Sequence, residues 1–91
     1  MIHKLKTIQP YFNRCWEQSK TFEIRLNDRD FQKGDTIVLQ EYEKISDVQG
    51  RYLGREIYGT ITYVLQNYPA LQEGYVAFSF SADEYIDLTK K

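Results

Sequence analysis

The sequence predicts an α+β, mainly β domain: a small, strongly bent barrel, mixed or antiparallel, with one main helix near the N-terminus. Three observations carry this. The chain has 91 residues, enough for one core and not for two. Its apolar residues switch at Thr21 from a helical spacing to strict alternation. One helix cannot cover both faces of five predicted strands, so the sheet must curl onto itself, which also limits its open edges.

The first element is a strand from Ile2 to Ile8. Pro10 then opens a helix, as a first-turn residue whose missing N–H costs nothing. Tyr11, Phe12, Cys15 and Trp16 form one apolar stripe, so a helix of about three turns is expected over residues 10–18. From Thr21, Phe22, Ile24 and Leu26 alternate with Thr21, Glu23 and Arg25, the pattern of a half-buried strand. Asn27 to Asp30 is a charged loop. Lys33-Gly34-Asp35 turns the chain into a strand from Thr36 to Tyr42. Lys44 to Gly54 reads as a long hairpin loop. Arg55 to Gln66 is the longest strand, with Gly59 marking a bulge or bend. Asn67 to Gly74 is a connection with room for one helical turn, and Tyr75 to Phe80 is the last clear strand. In the tail, Ser81 or Asp83 could cap a short helix.

Composition excludes several functions. Twelve Lys+Arg against thirteen Asp+Glu give a net charge of −1, which argues against wholesale binding of duplex nucleic acid. The charge is uneven: residues 1–35 carry seven positive and five negative groups, so an anionic ligand favours the N-terminal third. One Cys and one His make neither a disulfide nor a Cys–His metal site, so no metal is expected. No apolar run approaches a membrane span, and the first residues lack the apolar stretch of a signal peptide. The expected location is cytoplasmic, with no membrane partner. No phosphate-binding glycine loop, dinucleotide fingerprint, HExxH or GxSxG occurs, and no cofactor is expected.

The densest cluster of chemistry is Lys20-Thr21-Phe22-Glu23-Ile24-Arg25-Leu26-Asn27-Asp28-Arg29-Asp30. On a strand, Glu23 and Arg25 share a face about 7 Å apart. Arg25 can take a phosphate or carbonyl bidentately, Glu23 can accept from a base N–H, and Lys20 leans in from the junction. The alternative is a solvated strand face with a structural ion pair. His3 is either a packed residue or a group at the cleft mouth beside Lys6. Tyr52, Tyr58, Tyr63 and Tyr75 are either base-stacking surfaces or cross-strand pairs. Cys15 reads as a buried small hydrophobe.

Taken together, His3, Leu5, Lys6 and Pro10, the run Lys20–Phe31, Gly34-Asp35, Gly54-Arg55, Thr62–Leu65 and Gly74–Val76 resemble an uncharacterised, often phage- or bacterium-encoded branch of the ASCH family within the PUA-like superfamily. The resemblance covers residues 1–80 as one domain and leaves 81–91 as a tail outside it. It implies a PUA-like barrel whose cleft is lined by the family's GxKxxExR motif. Lys20, Glu23 and Arg25 fall on its K, E and R, while its Gly falls on Gln18. It also implies binding of RNA or nucleotides; beside those three motif residues, His3, Lys6, Asn27 and Arg29, which the motif itself does not supply, complete the expected ligand-binding set. One ASCH group resembles amidohydrolases of N4-acylated cytidine. Its Lys falls on Lys20, but its nucleophilic Thr falls on Glu23. Thr21 is two residues earlier, and Glu73 is the nearest candidate for its distant Glu. As an enzyme the chain would therefore rely on Lys20, Thr21 and Glu23. A third possibility is a protein-interaction factor, phage or bacterial, which an exposed aromatic patch would favour.

Overall fold

The computed structural model describes residues 1–90. The chain runs β1 (Ile2–Thr7), α1 (Tyr11–Trp16), β2 (Phe22–Leu26), β3 (Thr36–Lys44), β4 (Gly50–Leu65) and β5 (Tyr75–Asp87). All five strands form one sheet in the order β1-β3-β4-β5-β2. It is mainly β, as expected, and curls into a half-barrel. Of the two sheet arrangements expected, mixed or antiparallel, the mixed one occurs, since β1 lies parallel to β3 and every other pair is antiparallel. The crossover through α1 and β2 returns the chain in the same direction. β1 and β2 therefore end up as the two edges of the sheet.

The concave side holds the core: Leu5, Ile37, Leu39, Ile57, Ile61, Val76, Phe78 and Phe80 from the strands, Phe31 from the loop, and Phe12 and Cys15 from α1. The helix thus plugs the half-barrel with its apolar stripe. It is shorter than the stripe suggests, six residues rather than nine. Gln18 stops it by adopting a left-handed conformation, φ +67°, and the amides of Ser19 and Lys20 both return to the Arg14 carbonyl at 3.0 Å. Pro10 sits at the N-cap, and the Gln9 side chain accepts from the Asn13 amide at 3.0 Å.

Three further expectations are corrected. The Lys44–Gly54 loop is mostly strand, leaving only residues 45–49 as the turn. Tyr42 packs edge-on against Tyr52 at 5.1 Å, and Arg51 pairs with Glu43 at 2.8 Å, so cross-strand contacts zip the arm. The 67–74 connection contains isolated turns, closed by Leu71 N–H on the Tyr68 carbonyl and Tyr75 N–H on the Gln72 carbonyl, and no helix. The tail is not helical: β5 continues through Asp87, pairing Glu84–Asp87 with Arg55–Tyr58. Instead of capping a helix, Ser81 donates to Asp83 at 2.9 Å, and Asp83 accepts from Thr60 at 2.7 Å. Lys91 lies outside the described residues.

Gly59 does mark a bulge, where the β4–β5 register shifts. A Cβ there would run into the Ser81 carbonyl oxygen, so only glycine lets the two backbones approach.

Candidate functional site

The polar face of β2 points inward. Glu23 is 4% exposed, whereas Phe22, Ile24 and Leu26 are 49%, 56% and 51% exposed. The alternation was legible, but the expectation that its apolar row is the buried one is overturned. Burying a carboxylate is tolerated only when cations and hydrogen bonds replace its water, and here they do. Arg25 donates to Glu23 Oε1 through Nε at 3.0 Å and Nη2 at 2.7 Å. Lys20 donates to Glu23 Oε2 and also to the Phe22 carbonyl at 2.6 Å. The left-handed turn at Gln18 swings Lys20 into this position. Across from β2, the Thr7 hydroxyl accepts from Arg25 Nη2 at 3.2 Å and donates to the Leu5 carbonyl at 3.1 Å.

This cluster forms the floor of a cavity of about 570 Å³ between the two edge strands. β1 and the segment after it supply Lys6, Thr7 and Ile8, α1 supplies Tyr11, and Lys20, Phe22, Glu23, Ile24 and Arg25 complete the lining. Two cations, Lys20 and Arg25, face one carboxylate whose two oxygens are both engaged, so the cavity presents donors. Among the described residues, Arg25 Nη1 has no protein acceptor. The walls are apolar and partly aromatic. Such a site suits a flat group carrying carbonyl or phosphate oxygens.

Cys15 lies beneath this floor. Burial pushes its thiol up to about 11, outweighing the pull of Lys20 and Arg25. At neutral pH it is a packing residue, as read from the sequence, and not a thiolate nucleophile.

The expected set divides. Lys20, Glu23 and Arg25 meet in the cavity, and Lys6 borders it with its ammonium turned away over the Tyr42 ring, 4.8 Å from the centroid. His3 does not: it is buried, donates through Nε2 to the Asp35 carboxylate at 2.8 Å, and packs edge-on against Phe31 at 4.7 Å. Strand parity explains this, since His3, Leu5 and Thr7 all point into the core and Lys4 and Lys6 point out. Asn27 accepts from the Phe31 amide at 3.0 Å and lines a different cavity of about 450 Å³ with Tyr68, Gln72 and Glu73. Arg29 is exposed beside Asp28. Thr21 and Glu73 are not among the residues lining the Lys20 cavity. Thr7, Ile8, Tyr11, Phe22 and Ile24 were missed; the parity of β1 relative to Leu5 already places Thr7 inside.

A second buried ion pair also escaped the sequence reading. Arg55 grips Glu41 through Nε at 2.9 Å and Nη2 at 2.8 Å, and donates to Asn13 Oδ1 at 2.7 Å. Its guanidinium stacks over Phe12 and Trp16, about 5 Å from each ring. The Arg55 hydrogen bonds hold the Glu41 carboxyl below its ordinary value, and Glu41 in turn raises Arg55. This pair fastens α1, and with it the Tyr11 wall, to the sheet.

Comparison with known proteins adds two findings. A family described as a domain of unknown function, DUF3850, matches residues 2–80. An uncharacterized 12.9 kDa protein in the GpA 3′ region of Escherichia phage P2 is 34% identical over 90 residues, covering 99% of this chain and 77% of the phage protein.

Proposed function

The chain belongs to the DUF3850 family, and we propose that it is a binding module for a nucleotide or the end of a single-stranded RNA, acting without turnover. The observation that supports this most is a donor floor of Lys20 and Arg25 set between the apolar walls Ile8, Tyr11, Phe22 and Ile24. The cations take phosphate or base carbonyl oxygens, and the walls take the flat faces of the ring. This reading keeps the PUA-like, ASCH-type interpretation of the Lys20–Glu23–Arg25 motif. It changes the part assigned to Glu23, whose engaged carboxylate orients the two cations and does not itself read a base edge.

The amidohydrolase alternative draws less support. Its nucleophile would have to be Thr21, which lies outside the cavity lining, and Glu23 has both carboxylate oxygens already bonded to Lys20 and Arg25, neither bonded to a Thr21 hydroxyl.

The test is calorimetric titration with the four ribonucleoside monophosphates and short RNAs. Binding that weakens with salt, and weakens roughly 10- to 100-fold in Arg25→Ala as expected for a lost charge-assisted contact, supports the reading. No binding by the wild-type chain overturns it. Product formed from N4-acetylcytidine and abolished in Lys20→Ala would favour the hydrolase.

A further inference from the structure

The face turned away from the core is uncharged and largely apolar where β2, β5 and β4 run side by side, with the Thr62 and Ser79 hydroxyls bonded to each other at 2.7 Å in its middle. Register aligns its outward residues in rows: Phe22, Ser79 and Tyr63, then Ile24, Ala77 and Leu65. None of these is charged. Phe22 and Ile24 are about half exposed, and Tyr63 is 61% exposed. Scattered exposed apolar residues mean little, but a contiguous face on three neighbouring strands marks an interaction site.

Two properties say what covers it. The first is size. The exposed parts of its large side chains amount to roughly 400 Å², against the roughly 800 Å² each partner commits to a stable protein interface. A second copy of the chain would gain too little area. The second is continuity with the cleft. Phe22 and Ile24 belong to both surfaces, and the Lys20 ammonium stands 4.9 Å from the centre of the Phe22 ring. Beyond it, Tyr63 presents a second ring on the far side of β5, about 10 Å away at ordinary strand spacing. A cation beside a ring, followed by another ring, matches a chain that alternates phosphates with flat bases.

Resting on the nucleotide reading above, we propose that the ligand is a single strand: one nucleotide occupies the cleft, and the bases beyond it stack on Phe22 and then Tyr63. The phosphate between the cleft nucleotide and the base on Phe22 faces Lys20, whose ammonium stands beside that ring.

The experiment compares uridine monophosphate with uridine oligomers of two, four and eight nucleotides by calorimetry or fluorescence anisotropy. Affinity should rise at least tenfold from the monomer to the tetramer. Tyr63→Ala, which lies outside the cleft, should lose five-fold or more for the tetramer and leave the monophosphate unchanged, and Tyr63→Phe should retain the wild-type rise. If the monophosphate binds but the oligomers bind no tighter, or Tyr63→Ala keeps the full rise, the stacking face is overturned and the cleft reading survives. If neither ligand binds, both fall. Concentration-dependent dimerisation in sedimentation that Tyr63→Ala abolishes would assign the face to a second copy and overturn the proposal.

Discussion

Arg25 reaches the Thr7 hydroxyl at 3.2 Å from the opposite edge of the sheet. β1 and β2 stand at the two ends of the strand order, so this side-chain bond spans the gap that the backbone leaves open. The same bond holds the guanidinium at the cavity floor. Thr7→Val removes the acceptor at nearly constant volume and should cost about 1 kcal/mol in urea unfolding. It should also weaken nucleotide binding, because Arg25 loses one of its anchors. Thr7→Ser should stay close to wild type in both measurements.

Glu23→Gln should separate stability from affinity. It removes the charge that both Lys20 and Arg25 address, with side chains only 17% and 25% exposed. Unfolding stability should fall by about 1–3 kcal/mol. Phosphate and nucleotide binding should tighten, because the cavity becomes more positive, and its salt dependence should steepen. Equal losses in stability and affinity would show instead that Glu23 serves the ligand directly.

Gln18 occupies the left-handed position that ends α1. A non-glycine residue there is strained by roughly 1 kcal/mol, partly offset by the lower unfolded-state entropy of any residue with a side chain. Gln18→Gly should therefore leave stability unchanged or raise it by up to about 1 kcal/mol. Gln18→Val, β-branched at positive φ, should lower it by about 1–2 kcal/mol. Thermal or urea unfolding distinguishes the two directions.

Acid should destabilise the fold through two carboxylates. The His3 hydrogen bond holds Asp35 below its ordinary 3.8, and the Arg55 hydrogen bonds hold Glu41 below its ordinary 4.5. A carboxyl with a depressed folded-state value contributes stability above the unfolded-state value and loses it as pH falls through the folded one. Urea midpoints should thus fall as pH drops below about 4.5. Asp35→Asn and Glu41→Gln should each start from a lower midpoint at pH 7 and flatten this acid limb. A limb of unchanged steepness in both variants would assign the acid sensitivity elsewhere.

Much of this architecture could be read from residue order. Alternation placed the strands, Pro10 the start of the helix, and Gly59 the bulge. The Lys20–Glu23–Arg25 grouping followed from spacing alone. What alternation does not encode is which of its two rows turns inward. On β2 the usual preference of apolar residues for the core is overridden, because Lys20 and Arg25 supply Glu23 with a complete set of partners from both sides. Of its two readings His3 takes the packed one, and Leu5, two residues on, already marks that side of the strand as inward. The short helix expected at the start of the tail, capped by Ser81 or Asp83, lost to β5 pairing with Arg55–Thr60, a non-local contact that a local capping signal cannot reveal. The Glu41–Arg55 pair was equally invisible, since its members lie fourteen residues apart on strands whose register only the folded hairpin defines.

The inside-out arrangement of β2 also bears on how the chain finds its fold. Side chains alternate with period two, so sliding β2 by one residue against β5 would turn Phe22, Ile24 and Leu26 inward and expel Glu23 and Arg25. Hydrophobicity alone favours that slipped pairing. The observed alignment is held by the ion pairs of Glu23 and, at the strand's end, by the Asn27 amide on the Gly74 carbonyl at 2.8 Å. The cavity charges are therefore also the chain's register key: a variant stripped of both Glu23 and Arg25 charges would be free to adopt the misaligned strand, trading the cleft for a better-filled core.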